Sequence, residues 1–96
     1  MMVLITYDVD TTTIVGEKRL RRISKLCRDY GQRVQKSVFE CLVDPNQMAL
    51  LKNKLLNVMD KDKDSLRFYY IGSNWKPKIE HVGAKPGYDP DGVLIT

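Results

Sequence analysis

The chain has 96 residues, of which 43% are hydrophobic and 29% charged, which suits one compact domain and excludes a multidomain protein. Its two cysteines, Cys27 and Cys41, form no CxxC pair, disulfide framework or zinc set, and this favours a reducing cytoplasm. The apolar start lacks the features of an export signal and meets Asp8 far short of the ~18 residues of a membrane span. Because so small a domain buries a thin core, we also expect a homodimer.

The formal net charge of +4 is concentrated in one segment. Residues 17–36 contain eight Lys or Arg and two acidic residues, whereas residues 1–16 carry a net −2 and the remaining chain is balanced. A basic cluster attracts polyanions because their counterions are released on binding, so nucleic acid is the first class of partner to consider. A solvated helix face is an equally acceptable explanation of the charge alone.

The first predicted element is a strand at residues 2–9, rich in β-branched and aromatic residues. Its odd-numbered residues share a face with Tyr7 and its even-numbered residues share the other face with Asp8. Because both faces are mostly apolar, the strand is predicted to be central in its sheet. A helix is predicted next at residues 17–30, with apolar residues at steps of three and four, a basic opposite side, and Gly31 as its stop.

Residues 32–43 are rich in strand-forming residues but long for one strand, so we expect a sharp bend or tight hairpin near Lys36 and Ser37. Asp44 and Pro45 then provide the cap and first turn of a second amphipathic helix. An alternating strand follows at residues 66–71.

This order predicts an α+β, ferredoxin-like βαββαβ fold, with two helices on one face of an antiparallel sheet and the other face uncovered. We expect one domain over residues 1–96, with its core in residues 1–72. Residues 73–96 are predicted to add short strands, at 79–82 and 93–95, to a dimer interface through the sheets.

Three patterns together carry a resemblance to a known family. A strand ends in YDV at residues 7–9, the basic helix leads into GQRVQKSVFE at residues 31–40, and a strand begins with DSLRFY at residues 64–69. In this order over residues 1–82, they resemble the small CRISPR-associated nuclease, the second of the two core proteins of spacer acquisition. The tail EHVGAKP at residues 80–86 is similar to that of members from type I-C systems.

The resemblance implies a ferredoxin-like homodimer with a metal-dependent phosphodiesterase site on its two-fold axis. The essential aspartate of the family ends the first strand, the position of Asp8 here, so each subunit would contribute one catalytic carboxylate to Mg²⁺ or Mn²⁺. Two carboxylates, completed by waters and a substrate phosphate, suit the octahedral oxygen preference of Mg²⁺. Without the resemblance, Asp8 is better interpreted as a capping residue that ends a strand.

The resemblance also implies a nucleic-acid surface. Arg33 matches a cleft position and is expected to hold phosphate. Tyr7 and Phe39 match cleft positions too, but a role in the core is the stronger alternative for both. Ser37 is either a substrate contact or a turn hydroxyl. The residues of the basic helix expected to contact the nucleic-acid backbone are Arg19, Arg22 and Lys25.

Two other features of the sequence give little support for a metal site. The acidic run at residues 60–64 has calcium-loop spacing, but Ser65 stands where that loop needs glycine and Ile71 where it needs glutamate. It is therefore interpreted as a charged turn. His81 is the single histidine, so one chain cannot build a histidine-rich metal site.

Three functions remain open at this stage. The first is an Mg-dependent endonuclease acting on single-stranded RNA or double-stranded DNA. The second is a non-catalytic scaffold in spacer acquisition, which bridges two copies of the CRISPR integrase subunit and lays DNA across the basic helices. The third is a ferredoxin-like regulatory module that binds nucleic acid, which the lack of an aromatic-rich RNP-like strand disfavours.

Overall fold

A computed structural model describes residues 1–83, and residues 84–96 lie outside the described part. The elements are β1 (Met2–Asp8), α1 (Ile14–Tyr30), β2 (Gln32–Gln35), β3 (Val38–Leu42), α2 (Pro45–Val58), β4 (Ser65–Gly72) and a short 3₁₀ turn (Lys76–Lys78). The four strands form one antiparallel sheet in the order β2-β3-β1-β4. The α+β, ferredoxin-like prediction is confirmed, including the central place of β1 and the split of residues 32–43 at Lys36 and Ser37.

The core lies between the helices and one face of the sheet. Val3, Ile5 and Tyr7 of β1 are buried there, and Ile5 is flanked in register by Phe39 on β3 and Phe68 on β4. Both helices contribute fully buried side chains to the same cluster, which are Ile23, Cys27, Leu51 and Leu55. Since α1 and α2 pack on one face, the alternation of β1 directs Leu4, Thr6 and Asp8 to the opposite face.

Helix α1 begins three residues earlier than predicted. Thr13 is its N-cap, because its side chain accepts a hydrogen bond from the Gly16 amide at 3.0 Å. The predicted start fell at Glu17 because the prediction rested on the spacing of apolar residues and not on a cap. The helix ends at Tyr30 as predicted. Gly31 is required there for space, since a Cβ on its extended backbone would overlap with the Glu40 carbonyl oxygen.

The predicted C-terminal strands are not tested by a single chain. Residues 79–82 form no strand within residues 1–83, and their expected role at a dimer interface stays a prediction. Gly72, with φ of 98°, ends β4, and Pro77, which has no N–H to donate, lies in the 3₁₀ turn that precedes these residues. The predicted strand at 93–95 lies outside the described residues. Among the described helices, none is both long and apolar enough to cross a bilayer.

Gly16 tests the packing of α1 against the end of β1. A Cβ at this position would overlap with the Asp10 carbonyl oxygen, so Gly16→Ala is expected to lower the free energy of unfolding by about 2 kcal/mol through overpacking. Alanine normally stabilises a helix interior relative to glycine, so the sign of the change is diagnostic. Urea unfolding measures it, with Lys18→Ala on the exposed side of the same turn as the control. A Gly16→Ala protein as stable as the parent would contradict this packing.

Candidate active site at the end of the central strand

The candidate site is the point where β1 stops at Asp8. Asp8 is exposed and pairs in register with Ser65 at the start of β4. On its other side, the Tyr7 amide donates to the Ser37 carbonyl oxygen at 3.2 Å, so the β2–β3 turn lies beside the same strand end. The Asp8 carboxylate is therefore placed on the sheet face away from both helices, between two loop regions.

The chain that leaves β1 is tightly held. The Asp10 carboxylate accepts from the amide and hydroxyl of Thr12 at 2.9 and 2.7 Å, which closes a local turn and lowers the pKa of Asp10. The Asp10 amide donates to the Asp64 carboxylate at 3.0 Å, and the Asp10 carbonyl packs against Gly16. These contacts explain why the strand ends at Asp8 rather than at Val9 as predicted, and they place Asp10 in the loop that follows it.

Asp64 is a buried acid that ties three segments together. Its side chain is 0% exposed and pairs with Arg19, whose Nε and Nη2 lie 2.8 and 3.3 Å from its two oxygens. It also accepts from the backbone amides of Asp60 and Asp10, each at 3.0 Å. Burial alone would raise the pKa of Asp64, but the hydrogen bonds from Arg19 and the two amides outweigh it and hold the pKa below 3.8.

The acidic side chains around the end of β1 thus have different roles. Asp64 is in a buried ion pair, Asp10 closes a turn, and Asp60 accepts from the Asp62 amide at 3.0 Å. Within residues 1–83, no hydrogen bond or salt bridge involves the Asp8 carboxylate. Asp8 is therefore available to a ligand, whereas its acidic neighbours serve the fold.

The basic residues predicted to bind nucleic acid are divided by the structure. Arg19 is only 12% exposed in its side chain and is held by Asp64, which gives it a structural role. Arg22 is exposed, and Lys25 is exposed with a loose contact to Asp29 at 3.6 Å. The solvent-facing basic surface of α1 comprises Lys18, Arg21, Arg22, Lys25 and Arg28.

Arg33 lies on a different face from Asp8. It pairs in register with Phe39, which faces the helices, and its guanidinium carbon is 5.2 Å from the centre of the Phe39 ring. Arg33 is exposed and lies on the helix side of the sheet, as the basic surface of α1 does, whereas the Asp8 carboxylate is on the opposite side. The structure does not bring the two predicted site residues together within one chain.

The predicted cleft residues are mainly structural. Tyr7 is buried, its ring stacks near Phe39 with centroids 6.2 Å apart, and its hydroxyl lies 2.7 Å from the Ser24 hydroxyl. Phe39 is fully buried. Both placements agree with the core alternative rather than with contact to a substrate. Ser37 is half-buried in the β2–β3 turn.

A metal site is not complete within residues 1–83, where no group of three or more acidic, histidine or cysteine side chains is close enough to hold an ion. Cys27 and Cys41 are both free thiols, and burial, as the main cause, raises the pKa of each to about 12. Both side chains are fully buried in the core, away from the exposed Asp8 carboxylate. The Asp8 carboxylate ends β1 and, within residues 1–83, is held by no hydrogen bond or salt bridge, so it is free to act as an oxygen donor.

The Arg19–Asp64 pair is the feature that the sequence did not predict. Asp64 belongs to the charged turn at residues 60–64, and nothing local distinguishes it from Asp60 or Asp62. Its position directly before a strand is a weak signal, since its partners Arg19 and Asp10 are 45 and 54 residues away in the chain. Only the tertiary fold brings them together.

Comparisons with known proteins agree with the resemblance. The family described as CRISPR associated protein Cas2 matches residues 1–79. A protein named CRISPR-associated endoribonuclease Cas2, from Nitratidesulfovibrio vulgaris, is 66% identical over 99% of this chain and 93% of its own length. Another from Halalkalibacterium halodurans, named CRISPR-associated endonuclease Cas2, is 56% identical over 99% of both. The crystal structure of Streptococcus pyogenes Cas2 at pH 6.5 superposes with a TM-score of 0.75, at 54% identity, and covers 86% of this chain and all of its own.

The buried ion pair predicts how stability depends on pH. Because the pKa of Asp64 in the folded chain lies below its unfolded value, the stabilisation is complete above about pH 5 and is lost as the pH falls through the folded pKa. Asp64→Asn is therefore expected to lower the free energy of unfolding by about 3 kcal/mol at pH 7. The difference from the parent should shrink steadily below about pH 4.

Urea unfolding at pH 7 and under acidic conditions measures this effect. Asp62→Asn is the matched control, because Asp62 is exposed in the same turn and should change stability little at either pH. A loss for Asp64→Asn that is the same at both pH values would show that the ionised carboxylate is not its source.

Proposed function

The chain belongs to the family of CRISPR associated protein Cas2, and we propose that it is a metal-dependent nuclease of spacer acquisition whose site is shared by the two chains of a homodimer. The observation that carries the proposal is the Asp8 carboxylate. It is exposed, it has no partner within residues 1–83, and it ends the central strand on the face that neither helix covers.

A dimer through this sheet face supplies what one chain lacks. Leu4 and Thr6, next to Asp8 on β1, are half-buried, and Tyr69 on β4 is 42% exposed on the same face. Packing two such faces around a two-fold axis buries this partly apolar surface. If the axis passes near the end of β1, it places the two Asp8 carboxylates beside each other.

The donor chemistry of the paired site fits Mg²⁺ or Mn²⁺. One carboxylate is a poor site, whereas two, with waters and a substrate phosphate, satisfy an octahedral oxygen shell. The two Asp8 carboxylates would hold such an ion, which would supply Lewis-acid polarisation of the phosphodiester and a lowered pKa for a coordinated water. The role of Asp8 is to hold the ion between the subunits, and the loop contacts of Asp10 keep the strand end in place.

The substrate class is a nucleic acid. The relatives are named endoribonuclease or endonuclease, so single-stranded RNA and double-stranded DNA are the two substrates to compare. The exposed basic residues of α1, with Arg33, are proposed to bind backbone phosphates. Such contacts position the nucleic acid and give little sequence preference.

The same basic surface favours a second role, as a scaffold that bridges two copies of the CRISPR integrase subunit on DNA. The observation behind it is that the α1 surface is exposed on the helix side of the sheet, whereas Asp8 is on the opposite side. The chain can therefore bind DNA without presenting it to Asp8.

The C-terminal residues carry two further proposals. Residues 73–96 are proposed to add to the dimer interface, and the EHVGAKP tail favours the type I-C subtype.

Replacing Asp8 tests the enzyme. Asp8→Asn removes the charged oxygen donor and is expected to reduce metal-dependent cleavage at least about 100-fold, because a neutral amide is a poor ligand for Mg²⁺. Binding to duplex DNA should stay within about twofold, since Asp8 lies apart from the basic surface. Cleavage of labelled RNA and DNA with Mg²⁺, Mn²⁺ or chelator measures the effect, and Asp62→Asn is the control with the same charge change. Full cleavage by Asp8→Asn, or cleavage that persists in chelator, contradicts the proposal.

The basic surface is tested through the salt dependence of binding. If each subunit neutralises ~4 phosphates, a plot of log affinity against log salt has a slope near −7, and Arg22→Gln with Lys25→Gln should reduce that slope by about 4 per dimer. Fluorescence anisotropy with a DNA duplex measures it at several salt concentrations. Lys52→Gln with Lys54→Gln on α2 makes the same charge change elsewhere and should alter the slope far less. Equal effects of the two double variants would assign binding to net charge rather than to α1.

A further inference from the structure

The buried Asp64 carboxylate holds both sides of the strand end that carries Asp8. Along the chain, Asp64 immediately precedes Ser65, which is the register partner of Asp8 on β4. Through space, it accepts the amide of Asp10, two residues beyond Asp8, at 3.0 Å. The Asp64 carboxylate therefore holds the backbone that follows Asp8, and Asp64 itself adjoins the start of the neighbouring strand β4.

The pairing with Arg19 fixes the direction of that carboxylate. Arg19 donates from Nε and Nη2 to different oxygens of Asp64, a two-point contact that leaves the carboxylate little freedom to rotate. The Asp60 amide occupies the remaining side at 3.0 Å. With four donors on two oxygens in a fully buried position, the acceptor for the Asp10 amide is rigidly placed.

A second contact acts on the same loop from the opposite side. The Asp10 carbonyl oxygen packs against Gly16 so closely that a Cβ there would overlap with it. Asp10, two residues beyond Asp8, is thus held by a hydrogen bond at its amide and by steric contact at its carbonyl.

From this geometry we infer that Asp64 is a positioning residue for the Asp8 carboxylate: it orients the end of β1 so that the carboxylates of two subunits can meet across the two-fold axis. The inference rests on the proposed function of Asp8. Asp64 itself does not contact the nucleic acid or the metal ion, because its side chain is fully buried and its oxygens are occupied. A displacement of about 1 Å at a catalytic group can cost about 100-fold in rate, so this restraint has kinetic consequences.

The test uses Asp64→Asn in the full-length protein. Asparagine has one acceptor oxygen, so it cannot serve the Asp10 amide, the Asp60 amide and both Arg19 donors together. We expect kcat for metal-dependent cleavage to fall at least about tenfold while KM changes less than about twofold, because the nucleic-acid surface is untouched. In ¹H–¹⁵N spectra, the amide signals of Asp8 and Asp10 should move.

A stability-matched control separates positioning from simple destabilisation. Leu55→Ala empties a fully buried site on α2 and is expected to cost about as much stability as Asp64→Asn. Assayed well below the melting temperatures of both variants, Leu55→Ala should keep kcat within about threefold and leave the Asp8 and Asp10 amide signals in place. Asp64→Glu, which keeps the charge but shifts the oxygens by one methylene, gives a second variant if Asp64→Asn does not fold, and we expect an intermediate kcat.

The outcomes are distinct. The inference is overturned by an unchanged kcat in the Asp64 variants, or by an equal loss of kcat in Leu55→Ala. In either case, a strong loss of cleavage in Asp8→Asn still supports the proposed function. If Asp8→Asn cleaves normally, the proposed function fails, and the amide signals of Asp8 and Asp10 still decide whether Asp64 sets the geometry of this strand end.

Discussion

The alternation of β1 between a covered and an uncovered sheet face is the constraint on which the rest of the structure depends. Val3, Ile5 and Tyr7 are buried beneath both helices, and the twofold repeat of a strand then forces Asp8 onto the other face. A shift of one residue in register would place the carboxylate in the core. Burial of the odd-numbered side chains, which drives folding, therefore also exposes the candidate catalytic group.

The acidic residues at this end of the sheet show how a small domain separates structural from functional charge. A buried carboxylate must be paired and hydrogen-bonded, and Asp64 meets that requirement with Arg19 and two backbone amides. Asp10 serves a local turn. Because these residues satisfy the loops internally, Asp8 can remain exposed and unpartnered within residues 1–83 without loss to the fold.

The fold was largely predictable because its signals are local. Three of these signals each lie within a single element. They are the alternation of residues 2–8, the spacing of apolar residues in each helix, and the Asp44–Pro45 start of α2. The start of α1 and the end of β1 were predicted less accurately, because the first depends on the Thr13 cap and the second on the contacts of Asp10 with Gly16 and Asp64. The strand expected at residues 79–82 was placed at a dimer interface, so it stays a prediction that a single chain does not test.

The candidate site was predictable only in part. Asp8 was predicted as a site residue only through the family resemblance, because the strand pattern alone favoured a capping residue, and the structure leaves its carboxylate exposed at the end of β1. The basic residues were not separable in the sequence, since Arg19 and Arg22 share one helix and differ only in whether Asp64 reaches them. Arg33 could not be assigned to a face until the register with Phe39 was known. Long-range partners, rather than residue type, decided each of these roles.

A site to which both chains of the dimer contribute Asp8 can be detected with mixed dimers. Wild-type and Asp8→Asn chains are combined in varying ratios, allowed to exchange fully, and assayed for metal-dependent cleavage at constant total protein. If both Asp8 carboxylates are needed, activity follows the square of the wild-type fraction, so an equal mixture retains about one quarter of the activity. Activity that falls in direct proportion to the wild-type fraction would show that each subunit acts with its own Asp8 and would contradict the account.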